Sequence, residues 1–163
     1  MTTNDPNAGA SVAPVSFDFA DYLARQAEHE RREAELLPVN KAALFGALAA
    51  AGITSVVVTF DGSGDSGQIE DITAQRGEEL ADLPPGVITI ASAAWGDPGI
   101  AANTMSVEQA IEQLAYDLLS MKHGGWENND GAYGEFTFDV ATRVITLEHN
   151  ERYTTTEFYS HEF

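Results

Sequence analysis

The stretch Glu135–Tyr153, EFTFDVATRVITLEHNERY, decides the fold. Phe136, Phe138 and Val140 alternate with Glu135, Thr137 and Asp139, the period of two that sends one row of side chains to a core and the other to water. The run VITLEHNERY follows after only Ala141-Thr142-Arg143, and so short a connection joins antiparallel neighbours, so the two runs form a β-hairpin. Hairpins in place of regular βαβ alternation argue for an α+β domain, with an antiparallel sheet carrying helices on one face.

Upstream, Gly124–Gly134, GGWENNDGAYG, is a polar loop with two aromatics. Before it, Ser106 and Gln109 make an S-x-x-Q capping box for a helix that Gly124 ends. The apolar stripe of that helix is Val107, Ala110, Ile111, Leu114, Ala115, Leu118 and Met121. Ile53–Phe60, ITSVVVTF, is rich in β-branched residues and reads as a central strand. The strand QIEDITAQ from Gln68 places Ile69 and Ile72 on opposite faces, so it has no clean apolar side and reads as an edge. Val87–Trp95, VITIASAAW, is a third strand, while RGEELADLPPG and GDPGIAANTM are loops. Near the start, Ser16 caps a helix that Pro38 ends, and Asn40 caps a second helix, KAALFGALAAAG, stopped by Gly52. Residues 1–15 are small and polar and read as a disordered tail, not as a targeting peptide. The expected order over residues 16–163 is αα-βββ-α-ββ, a single domain with a sheet of four to five strands. Its open face carries Glu135, Thr137, Asp139, Thr146, Glu148 and Asn150 and is acidic.

Composition narrows the function. The 163 residues hold 26 Asp plus Glu against 8 Lys plus Arg, a formal net charge of -18. Direct binding to nucleic-acid backbones or anionic membranes draws on Lys and Arg, so neither is expected. No apolar run is long enough to span a bilayer. Cysteine is absent, which removes disulfides, thiol catalysis and thiolate zinc sites and suits a reducing cytoplasm. The acidic field would attract cations or a protein with a basic surface.

Two loops concentrate the chemistry. The first, GSGDSGQIE (Gly62–Glu70), contains the GDSG of chymotrypsin-like proteases. A triad of that order needs a histidine and an aspartate before Ser66, and the one upstream histidine, His29, sits in the charged run EHERRE. The G-x-S-x-G elbow also fails, since the segment leads into a strand. No catalytic residue is expected. Asp61, Ser63, Asp65 and Glu70 begin like a calcium loop, but Ser66 and Ile72 occupy positions that an EF-hand gives to Gly and Glu. A composite divalent-cation site from Asp61, Asp65, Glu70, Glu127 and Asp130 requires the two loops to meet. The simpler account is turn chemistry, with Gly62, Gly64, Gly67, Gly124, Gly125, Gly131 and Gly134 supplying positive φ. His123, His149 and His161 show no recognised metal spacing.

The segments VNKAALFGALAAAGITSVVVTFDGSGDSGQIEDI and HGGWENNDGAYGEFTFDVATRVITLEHNERY resemble a family of small bacterial proteins known only as a domain of unknown function. The resemblance runs from Asn40 to Phe163 and implies a bacterial, cytoplasmic protein with no assigned activity. The residues carrying it are Asp61, Asp65, Ser66, Gly67, Gln68 and Glu70 in the first loop. In the second they are Trp126, Glu127, Asn128, Asn129, Asp130, Gly131, Tyr133 and Glu135. Without Gly67 and Gly131, these are the expected binding surface. The leading expectation is a non-enzymatic, acidic interaction module without a cofactor, one form of which imitates nucleic-acid charge to hold a basic protein. The alternative is a cation-dependent enzyme built on the loop carboxylates. A third is a structural subunit marked by an exposed apolar patch on the first helix.

Overall fold

The computed structural model describes residues 18–64, 66–96, 99–128 and 130–163. In chain order the elements are α1 (Phe19–Ala50), β1 (Ser55–Ser63), β2 (Ser66–Arg76), β3 (Glu79–Ala81), β4 (Val87–Ala93), β5 (Ile100–Ser106), α2 (Val107–Lys122), β6 (Ala132–Asp139) and β7 (Val144–Glu151). The valine-rich run is the middle strand, as expected, of an antiparallel sheet ordered β3-β2-β1-β6-β7. Its alternate residues Val56, Val58 and Phe60 face the core with Phe136 and Phe138 of β6. Leu44, Phe45 and Leu48 of α1 and Val107, Ala110, Ile111, Leu114, Ala115 and Leu119 of α2 complete one hydrophobic cluster on that side. The α+β class with an antiparallel sheet therefore holds.

Several elements differ from the sequence reading. The two expected N-terminal helices are one, because α1 runs through Pro38. Proline removes one N–H bond from the ladder. Keeping the helical phase across it leaves Leu37, Asn40 and Leu44 on a common stripe against the core. The N-terminal half is instead supported by ion pairs one turn apart, such as Arg25 with Asp21 and Arg32 with Glu28. The helix is capped by Asp18, whose carboxylate accepts from the Ala20 and Asp21 amides. Ser16 and residues 1–15 lie outside the described residues.

Asn40 is not a cap but a latch. Only 5% exposed, it donates from Nδ2 to the Ala91 carbonyl and accepts the Ala91 amide at Oδ1, both at 2.9 Å. The side-chain amide thus gives β4 the pairing a neighbouring strand would give. Asn40→Ala is expected to leave both Ala91 groups unsatisfied and to lower stability by about 1–3 kcal/mol in urea unfolding. A loss below about 0.5 kcal/mol would show that water replaces the latch.

The two segments read as loops contain strands. Glu79–Ala81 adds three residues to the edge of β2, too few to leave an alternating pattern in sequence. Ile100–Ser106 pairs with β4 in a separate two-stranded sheet, so Val87–Ala93 does not join the main sheet. Small residues such as Ala101 and Ala102 have low strand propensity, and pairing overrides it.

The mixed faces of β2 have a specific cause. The register with β1 slips between Thr59↔Asp71 and Phe60↔Ile69, which makes Glu70 the extra residue of a bulge. One extra residue reverses the alternation, so Ile69 and Ile72 both pack against the core. The Ile69 amide donates to the Tyr116 hydroxyl of α2 at 3.0 Å. β2 is bordered by β3 along Ala74–Arg76, so it is an edge along part of its length only.

Candidate functional site

The two loops meet. The GDSG segment is the tip of the β1–β2 hairpin, with Ser63 opposite Ser66 and Gly64 at φ +64°. The Trp126 ring lies across this hairpin. A Cβ on Gly62 would come within 2.6 Å of the ring and one on Gly67 within 2.3 Å. These glycines serve close packing and not turn geometry, since neither they nor Gly124 and Gly134 have the positive φ expected of them. Of the seven, Gly64, Gly125 and Gly131 do. Trp126 also meets Phe60 edge-on at 5.4 Å, which ties the loop to the core.

Asp61 points out of β1 on the open face and forms a two-pronged pair with Arg152, Nη1 to Oδ1 at 2.9 Å and Nη2 to Oδ2 at 3.1 Å. The same guanidinium stands 4.5 Å over the Tyr133 ring. The Arg152 amide donates to the Gly131 carbonyl at 2.9 Å. Arg152 thus clamps the first loop to the second. Gln68 donates to Glu70 at 3.0 Å. Ser66, Asn128 and Asp130 are exposed, and Glu127 and Glu135 are partly buried. Asp65 and Asn129 lie outside the described residues.

The loop carboxylates among the described residues do not gather. Among the described residues the side chains able to hold a metal ion together are His123, His149 and Glu151, and not Asp61, Glu70, Glu127 or Asp130. His123 caps the C-terminus of α2 and His149 points from β7 to the core face, where its ring stacks on Phe60 at 5.8 Å. Gly134, directly opposite His149, makes room: a Cβ there would fall 2.9 Å from the Phe60 ring. Burial pushes the His149 imidazole below the ordinary histidine value, and the neighbouring His123 acts the same way against the pull of Glu151. This cluster escaped the sequence reading because its histidines lie 26 positions apart and meet only where the core face of β7 comes against the end of α2.

A cavity of about 310 Å³ opens between α1, α2 and the β4–β5 hairpin, lined in part by Glu33, Asn40, Asn103, Gln113 and Asp117. Burial raises the Asp117 carboxyl above the usual range, partly offset by its bond from Gln113. No sequence signal pointed there, because the cavity depends on β4 leaving the main sheet.

The open face of the main sheet bears ordered rows. Thr59 is flanked by Asp71 and Glu135, with Glu148 beyond, and Val57 is flanked by Thr73 and Thr137, with Thr146 beyond. Past β7, residues 152–163 continue without regular structure and expose Tyr153, Phe158, Tyr159 and Phe163. Phe19, Tyr22 and Leu23 of α1 are exposed as well, with the Tyr22 ring 5.6 Å from that of Trp95. Among the described residues no helix is long and apolar enough to cross a membrane.

The chain belongs to a family of unknown function, DUF6878, whose model matches residues 36–163. No curated protein and no solved structure matches it.

Proposed function

We propose that this protein is a non-enzymatic interaction module that holds a basic protein partner against the open face of its five-stranded sheet, in a bacterial cytoplasm. The observation that carries the reading is the uncompensated acidic row. Glu135 and Glu148 stand directly opposite each other on β6 and β7, and Asp71 lies two strands away in the same row. Like charges directly opposite destabilise a sheet. No Lys or Arg lies in these rows, and Arg152, just past β7, is engaged with Asp61. A partner presenting Lys or Arg would relieve the repulsion and gain charge-assisted hydrogen bonds. The threonine row beside it offers hydroxyl donors and acceptors. The aromatic side chains of residues 152–163 are the residue type that anchors interfaces, and the family match includes that segment. The net charge of -18 would speed encounter with such a partner.

The test compares wild type with Glu135→Lys/Glu148→Lys in pull-downs from a host lysate at low and high salt, with eluted proteins identified by mass spectrometry. A basic protein captured by wild type, released as salt shortens the screening length from about 10 Å at 0.1 M to 3 Å at 1 M, and missed by the variant is the expected result. Capture that ignores both salt and the charge reversal, or no capture at all, would sink the proposal.

A further inference from the structure

We propose that His123, His149 and Glu151 bind one divalent transition-metal ion of the zinc class, a site independent of the acidic face. The three side chains each offer one ligand atom, and those atoms all lie within 4.8 Å of one another. Two of the separations are already short. Glu151 Oε1 is 3.6 Å from His123 Nδ1 and 3.6 Å from His149 Nε2. Neighbouring ligands of a tetrahedral zinc stand about 3.4 Å apart, given metal–ligand bonds near 2.1 Å. Both separations are within about 0.2 Å of that spacing.

The second observation concerns His149 itself. Its side chain is 6% exposed, and both ring nitrogens are buried without a hydrogen-bond partner. Buried polar atoms in folded proteins are nearly always satisfied. An ion at Nε2 gives this nitrogen the partner the protein chain withholds. The imidazole stacked on it cannot do so. His123 lies face to face with His149, 3.6 Å between centroids and 7° between planes, so neither ring points a nitrogen at the other. Binding needs His123 to tilt out of the stack. At 34% side-chain exposure and at the end of α2, it has the room to do so, whereas Phe60 fixes His149.

The ligand set selects the ion. Two imidazoles and one carboxylate suit zinc, cobalt or nickel, whereas magnesium and calcium prefer oxygen ligands alone. His123 and Glu151 also line a cavity of about 180 Å³ with Trp126, Asn128, Gly131 and Arg152. A three-ligand centre facing such a cavity keeps a coordination position for water or another small ligand, the arrangement of reactive rather than closed structural zinc sites.

The experiment uses the full-length, untagged protein freed of metal by chelator and dialysis. Calorimetric titration with Zn²⁺ is expected to show one equivalent bound with micromolar or tighter affinity, undisturbed by millimolar Mg²⁺. The melting temperature should rise by roughly 5 °C or more at a hundredfold excess over the dissociation constant. His123→Ala and Glu151→Gln change the two less buried members of the set and leave the core intact, which far-ultraviolet circular dichroism checks. Each should weaken Zn²⁺ binding at least about tenfold, while His161→Ala leaves it unchanged. Co²⁺ in place of Zn²⁺ should give visible d–d bands that His123→Ala abolishes. No saturable Zn²⁺ binding, or binding of equal strength in wild type and both variants, overturns the proposal.

Discussion

Gly131→Ala is expected to cost this protein roughly 3 kcal/mol or more, enough to unfold much of it at moderate temperature. Gly131 is buried at φ +81°, and a Cβ there would sit 1.7 Å from the Gly62 carbonyl oxygen and 2.8 Å from Ser63 Cα. Left-handed backbone alone costs a non-glycine residue about 1–2 kcal/mol. The larger part is steric, because the obstructing atoms are backbone and cannot rotate aside. The loop would have to withdraw from the β1–β2 hairpin, taking with it the Arg152 amide bond to the Gly131 carbonyl and the Trp126 cover. Gly64→Ala is the control, since nothing lies within 4 Å of its added Cβ and it has φ +64°. That variant should lose only the backbone contribution. Urea unfolding separates the two cases, and equal losses would show that the loop yields without cost.

Much of this architecture is legible in the chain, and the misses share a cause. The β6–β7 hairpin, the central position of β1 and the α2 capping box are local patterns, and local patterns survive in sequence: Ser106 and Gln109 exchange both predicted bonds. Pro38 misled because the rule that ends a helix there is a preference worth a few kcal/mol, which the stripe of Leu37, Asn40 and Leu44 outweighs. Ile69 and Ile72 misled because a bulge is invisible until the partner strand sets the register. The meeting of the two loops was foreseen as a condition for a carboxylate site, yet their meeting produced a clamp. Asp61 is taken by Arg152 from beyond β7, a residue 91 positions away. The histidine cluster lies outside the candidate residues altogether. Its members carry no spacing motif, and the one local hint was Gly134, a glycine inside an otherwise alternating strand, where close approach of neighbouring groups is a common reason.

Phe60→Ala is expected to produce the second large loss, about 3–5 kcal/mol and a fall in Tm of roughly 6–20 °C. Phe60 is 2% exposed and touches three rings of different purpose: Phe136 at 5.6 Å in the core, Trp126 at 5.4 Å over the hairpin and His149 at 5.8 Å in the histidine stack. Removing its ring opens a cavity that β1 cannot close, because Gly134 opposite it on β6 has no side chain to move in. The same substitution frees His149 to leave its stack and Trp126 to lift from Gly62 and Gly67. Amide hydrogen exchange should therefore rise most in Trp126–Gly131 and around His149, while the β4–β5 hairpin, which Asn40 holds to α1, keeps its protection. Val57→Ala, on the opposite face of the same strand, should cost much less and leave the loop protected. Uniform loss of protection would assign Phe60 to the core alone. Loss confined to the loop and the histidines, with the overall Tm unchanged, would make it a support for the loop and no part of the core.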